Sequence, residues 1–134
     1  MSKIYVNTVE MGPEFSELVL HELDFQYSRE EVTLAIASAA LPAGTVLMRN
    51  SDGEYTPLTE VEEGTEGNKT QKLGGEPLAV LIKAAPSSTA AQPGLVIRRA
   101  AIVNGAALKF DASVTTKKDD AKLALCDLGI VVKE

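Results

Sequence analysis

The most regular hydrophobic patterns in the chain have the period of two that is typical of β-strands. In the first of them, one side of an extended segment is largely apolar, and its residues are Val19, His21, Leu23, Phe25 and Tyr27. The residues between them are mostly charged or polar. We therefore predict a leading strand over residues 19–27.

Residues 28–37 admit two interpretations. Ser28 with Glu31 three positions later forms a capping box and would begin a helix. Val32, Leu34 and Ile36, however, alternate with smaller residues, and the run ends at the Pro42 to Gly44 turn within the length of a strand. The alternation favours a strand.

Further strands are predicted along the rest of the chain. Residues 44–49 and 54–58 form a hairpin around the turn residues 50–53, and residues 59–76 form a long exposed loop. Apolar runs at 78–82 and 95–103 predict two more strands, separated by a linker-like segment at 86–94. Residues 130–132 make a last short strand.

One helix is predicted, near the C-terminus. Ala121, Ala124, Leu125 and Leu128 have the spacing of one buried helical face. Thr115 or Thr116 can cap its start and Gly129 its end. The chain is thus expected to be mainly β, with six or seven short strands in a compact domain and one short C-terminal helix.

Residues 1–16 are apolar in places but have no sustained period, and Gly12 and Pro13 interrupt them. We interpret this stretch as an extended arm. Its apolar residues are Ile4, Tyr5, Val6, Val9, Met11 and Phe15. The predicted organisation is an arm and leading strand at 1–28, followed by one β-rich domain at 29–134.

The charge and the apolar content of the chain exclude some classes of binding partner. With 13 Lys and Arg against 19 Asp and Glu, the formal charge of -6 has the wrong sign for binding a phosphate backbone, so nucleic acid is not an expected partner. No apolar run reaches the ~20 residues of a membrane helix, and the first residues do not have the pattern of a signal peptide. We expect synthesis in a reducing cytoplasm and no membrane partner.

Residues that could carry chemistry are few. Gly64 to Thr70 only superficially matches a phosphate-binding loop, because Asn68 separates Gly67 from Lys69. His21 is the one histidine and Cys126 the one cysteine, expected as a strand residue and as a semi-buried small apolar residue. The sequence places no further metal ligands with His21 and no activating histidine near Cys126. We therefore expect no catalytic site, metal or cofactor, and a protein that is not an enzyme.

Arg98 and Arg99 fall on opposite faces of the predicted strand 95–103. At least one of them is therefore expected to reach a domain face or a subunit interface, where it would need a carboxylate partner.

With the strands in place, the sequence resembles the bacteriophage head decoration proteins of the lambda head protein D type. The resemblance rests on an ordered series of short motifs: VTLA (32–35), LPAGTVL (41–47), GEYTP (53–57), PLAVLI (77–82), VIRRA (96–100) and LGIVV (128–132). It covers about residues 30–134, and the longer 59–76 loop and the lack of tryptophan depart from the lambda protein.

The resemblance implies a β-clip type domain that docks as a homotrimer on the outer surface of the capsid, in the virion. It also implies that the arm adds a strand to the major capsid protein. In such a trimer, the subunit interface expected for Arg98 or Arg99 from their strand positions would be the trimer interface. A phage tail or adaptor β-domain is the main alternative. A small hydrolase or sugar-binding β-domain would need clustered carboxylates or aromatic residues in a cleft.

Overall fold

The structure, a computed structural model, describes residues 13–134. Within this range the strands are β1 (Val19–Glu22), β2 (Arg29–Leu34), β3 (Val46–Arg49), β4 (Tyr55–Pro57), β5 (Glu60–Glu63), β6 (Thr70–Leu73), β7 (Ala79–Leu81), β8 (Gln92–Ile97), β9 (Ala101–Asn104) and β10 (Ile130–Lys133). The helices are the single turns α1 (Phe15–Leu18) and α2 (Phe25–Ser28), and the longer α3 (Lys118–Asp127). The prediction of a mainly β chain with one C-terminal helix is confirmed.

Five strands close into a small barrel in the order β2, β4, β3, β7, β8. All its pairs are antiparallel except β2 with β4, which run parallel. A second sheet has the order β1, β9, β10, with β1 antiparallel and β10 parallel to the central β9.

Alternate residues of the barrel strands enter two different cores. Leu47, Leu81 and Val96 belong to a cluster to which all five barrel strands contribute, which places it inside the barrel. Their neighbours Val46, Val80 and Ile97 pack in a second cluster with residues of β1, β9, β10 and α3. The second sheet and α3 therefore cover the outside of the barrel, and β7 is buried on both faces.

The predicted strand at 19–27 is wrong beyond Glu22. Asp24 accepts a hydrogen bond from the Gln26 backbone N–H at 3.0 Å and begins α2, so the chain turns instead of continuing as a strand. Ser28 ends this turn, and its hydroxyl donates to the Ala100 carbonyl at 2.9 Å. The capping box is thus not used, and the predicted strand after it forms as β2.

The run at 95–103 is two strands and not one. β8 begins earlier, at Gln92 within the predicted linker, and ends at Ile97, while β9 begins at Ala101. Ala100 between them has a φ of 54°, a left-handed conformation that lets the chain turn from the barrel into the second sheet. Arg98 and Arg99 lie in this corner and are not opposite faces of one strand.

The predicted loop at 59–76 contains the two-stranded sheet of β5 and β6, in which Glu60 faces Leu73 and Glu63 faces Thr70. Its polar residues gave no apolar alternation because residues 61–72 are exposed on both faces. We call Glu60 to Leu73 the β5–β6 hairpin. The β3–β4 hairpin, β7 and β10 form close to their predicted positions.

Helix α3 ends as predicted, since Gly129 follows it with a φ of 90°. Its predicted start is wrong: the N-cap position is Lys117, and neither Thr115 nor Thr116 caps it. Ala121 and Leu125 are buried, whereas Leu128 lies just past the helix and is 37% exposed. Cys126, expected to be semi-buried, is exposed.

Candidate interaction surfaces

Large apolar side chains are exposed together in the segment that precedes β2. Phe15, Leu23, Phe25 and Tyr27 are 39%, 74%, 59% and 56% exposed. We call these four residues the aromatic surface. Phe25 and Tyr27 are exposed where the turn at Asp24 takes the chain out of the β1 ladder.

Arg29 holds two members of the aromatic surface. Its guanidinium lies 4.7 Å from the centre of the Phe15 ring and 5.6 Å from that of Phe25, distances of cation–π contact. The same group donates two hydrogen bonds to the Glu22 carboxylate, at 2.8 and 2.9 Å. These hydrogen bonds raise the pKa of Arg29 above its ordinary value, although burial opposes the shift. The Arg29 side chain therefore contacts both α1, through Phe15, and α2, through Phe25.

Arg98 and Arg99 share one carboxylate. Glu30 lies 3.5 Å from Arg98 and 3.0 Å from Arg99. The Nη1 atom of Arg98 also donates to the Tyr55 hydroxyl at 2.7 Å, and that of Arg99 to the Tyr27 carbonyl at 2.7 Å. The expected carboxylate partner thus comes from the same chain, on β2. We call this group the arginine corner.

The predicted arm residues Ile4, Tyr5, Val6, Val9 and Met11 lie outside the described residues. Phe15 does lie within them, on α1, where it belongs to the aromatic surface. Of the residues predicted for the arm, Phe15 is thus placed within an exposed apolar surface of the domain. Arg98 and Arg99 lie at the other side of Tyr27, with side chains 21% and 31% exposed.

A buried carboxylate fixes the β5–β6 hairpin to the domain. Glu60 is 6% exposed, and its Oε1 accepts hydrogen bonds from the backbone N–H groups of Thr115, Thr116 and Lys117 at 2.9 to 3.0 Å. Its Oε2 accepts from the Thr116 hydroxyl at 2.6 Å. We call this arrangement the Glu60 clasp. It fixes residues 115–117, the segment that leads into the start of α3.

The clasp changes the titration of Glu60. The Thr116 hydroxyl contributes most to lowering its pKa, burial opposes the shift, and the three backbone donors lower the pKa further, so that it falls from 4.5 to about 2. Sequence reasoning missed this residue, because its partners lie 55 to 57 positions away.

The other residues considered for chemistry are apart from one another. His21 is exposed on β1, Cys126 is exposed on α3, and Gly64 to Thr70 forms the end of the β5–β6 hairpin. Among residues 13–134, no three His, Cys, Asp or Glu side chains are placed to hold a metal ion. No helix in that same range is long and apolar enough to cross a membrane.

A closed barrel covered by a second sheet, with exposed apolar and arginine-lined surfaces, defines a small β-domain suited to binding other proteins. The family of the bacteriophage lambda head decoration protein D matches residues 8–130, and the chain belongs to this family. It is a phage head decoration protein, a component of the capsid in the virion. No curated protein and no solved structure matches it significantly.

Proposed function

We propose that the protein binds the major capsid protein on the outer surface of the head as a homotrimer and stabilises the shell against the pressure of packaged DNA. Its role is mechanical and not catalytic. The observation that supports this most strongly is the family match over residues 8–130. The formal charge of -6 argues against a direct role in binding the DNA.

The arm at residues 1–16 is proposed to add a strand to the capsid protein, with Ile4, Tyr5, Val6, Val9 and Met11 as its contact residues. Phe15 lies in the helical turn α1 and would contribute a side-chain contact beside that strand. Backbone pairing of this kind gives affinity, and alternate side chains give specificity. The aromatic surface supports the proposal, because it extends the apolar contact from Phe15 into the domain. Tyrosine and arginine, represented here by Tyr27 and Arg29, are also enriched among residues that dominate binding energy.

One arm would bind weakly. Each added backbone hydrogen bond contributes about 1 kcal/mol net, and ordering each residue costs about 1 to 2 kcal/mol. In a trimer, docking of the first arm places the other two arms at high effective concentration near their sites. The trimer therefore binds the capsid much more tightly than a single arm would. A trimer that joins several capsid subunits would then resist expansion of the shell.

The trimer contact is proposed to include Arg98 or Arg99. Both guanidiniums are partly exposed although each is paired with Glu30, so a neighbouring copy could add a further acceptor. The Nε atom of Arg98 is buried and has no hydrogen-bond partner among the described residues.

Heads lacking the protein test the proposal directly. Full heads would be prepared without it, then mixed with the purified protein, and the retention of DNA measured during heating. We expect added protein to raise the temperature at which DNA is released, and electron microscopy to show new density on the outer surface. Density on the tail, with no change in DNA retention, would support the adaptor alternative instead.

A further inference from the structure

The two longest segments of the chain without a charged residue are residues 32–48 and 84–97. Their central parts, 36–41 and 85–91, extend together beyond the barrel ends of β2 and β8, and we call this pair the uncharged ribbon. Nine of its residues are exposed: Ile36, Ser38, Ala39, Ala40, Pro86, Ser87, Thr89, Ala90 and Ala91.

The uncharged ribbon is held in one conformation by its own hydrogen bonds. Ala37 exchanges two backbone hydrogen bonds with Ser88, at 3.2 and 2.9 Å, and Leu41 exchanges two with Ala85, at 2.8 and 2.9 Å. The Ser88 hydroxyl also bonds to the Ala90 backbone. A surface that is already ordered loses little conformational entropy on binding.

Ile36 is the large apolar side chain of the ribbon and is 64% exposed. It lies beside a shallow depression lined by Ala37, Ser88 and Thr89. Charged residues are depleted at the centre of protein interfaces, whereas they normally cover free surfaces. An ordered surface with an exposed isoleucine and no charge therefore has the character of an interface.

The occupant follows from symmetry and charge. At a three-fold axis each side chain meets the same side chain of two other copies, so any charge there faces its own sign. Copies of a chain with a formal charge of -6 repel one another, and the uncharged ribbon is where they approach with least repulsion. A capsid surface would impose no such need for neutrality on every residue.

We infer that the uncharged ribbon lies at the three-fold axis of the trimer, where Ile36 packs against Ile36 of two other copies. This rests on the trimer of the proposed function and assigns its axis. The ribbon segment 85–91 comes directly before β8, and the arginine corner comes directly after it. The contact between copies would therefore run along the β2–β8 pair.

Cross-linking of single-cysteine variants tests this placement. Ile36→Cys would be made in full-length protein carrying Cys126→Ser, and treated with a short bis-maleimide. A residue close to its own copies forms covalently linked pairs, and a residue far from the axis does not. The matched control is Leu123→Cys in the same background, since Leu123 is 67% exposed on α3.

Efficient linking at position 36 and none at position 123, in protein that sediments as a trimer, is the expected result. A trimer linked through position 123, or at neither position, would overturn the ribbon assignment and leave the trimer standing. Protein that is monomeric in solution would be tested on coated heads. If the copies on the heads are also not cross-linked and are bound one by one, the proposal that the protein acts as a trimer is contradicted.

A second pair of variants tests the energetic argument. Ile36→Lys would place three like charges at the axis and is expected to weaken association by at least about tenfold. Leu123→Lys should leave association unchanged. An Ile36→Lys protein that still forms trimers but no longer coats heads would contradict the inference, because the ribbon would then contact the capsid.

Discussion

Tyr55 connects the barrel interior to the arginine corner. Its ring is 5% exposed within the inner core, and its hydroxyl accepts a hydrogen bond from Arg98. The alternation of the β3–β4 hairpin predicts that this tyrosine belongs to a strand. It does not predict the arginine partner, because Arg98 lies 43 positions away and its place depends on the corner at Ala100.

Tyr55→Phe should destabilise the protein by about 1.5 kcal/mol. The substitution keeps the ring in the core but removes the hydroxyl that accepts a hydrogen bond from Arg98. Water can replace this acceptor only in part, because the Arg98 side chain is mostly buried. Urea denaturation would measure the change in unfolding free energy. The matched control is Tyr27→Phe, which should have little effect because Arg99 bonds to the carbonyl and not to the hydroxyl of that residue. Equal losses in both variants would contradict the assigned hydrogen bond.

Glu60→Gln should lower the melting temperature by several degrees at neutral pH, because an amide cannot accept four hydrogen bonds as a carboxylate does. The folded-state pKa is lowered from 4.5 to about 2, so the carboxylate contributes fully above pH 4.5 and its contribution is lost as the pH falls toward 2. The difference in melting temperature between wild type and variant should therefore shrink over that range.

Glu63→Gln is the control for the Glu60 clasp. Glu63 lies on the same strand but is exposed and pairs with Lys72. Its substitution should change the melting temperature little at any pH. A pH-independent difference for Glu60→Gln would show that packing, and not the charge of the carboxylate, holds the hairpin.

At the scale of elements, the sequence predicts strands best where at least one face is buried. β2, β3, β7 and β10 each bury apolar residues in a recognisable pattern, and they form close to where they are expected. β5 and β6 could not be found in this way, because backbone pairing and the Glu60 clasp stabilise them while their side chains remain in water. The turn at Asp24 was missed because a local hydrogen bond there outweighs a favourable alternation.

Shortening the β5–β6 hairpin should leave the domain folded. Val61 and Lys72 face each other, so residues 62–71 can be replaced by Asn-Gly, a favoured two-residue turn, while Glu60 and Leu73 are kept. Because the removed residues are exposed, the unfolding free energy should change by less than about 1 kcal/mol. Leu58→Ala, a truncation in the core, should cost about 2 to 5 kcal/mol in the same assay. A comparable loss on shortening would mean that the hairpin supports the core.

At the scale of the molecule, residues 13–134 form the folded domain, and residues 1–16 are the proposed attachment to the capsid. The ordered series of motifs was enough to predict the family, whereas the closed barrel and its covering sheet depend on long-range pairings such as β1 with β9. The aromatic surface could not be predicted, since three of its four residues, Leu23, Phe25 and Tyr27, belong to an alternation that is typical of a strand face. In the proposed function, this surface extends the apolar contact with the capsid protein from the arm to the domain.

Binding of full-length protein and of a variant lacking residues 1–12 to undecorated heads tests the central claim most directly. This deletion removes none of the described residues, so the variant should keep the circular dichroism spectrum and melting temperature of the full chain. Occupancy on the heads, measured by electron microscopy over a range of concentrations, should be saturable for the full chain and lost for the variant. A folded variant that coats heads at the full-length occupancy would contradict attachment through the arm.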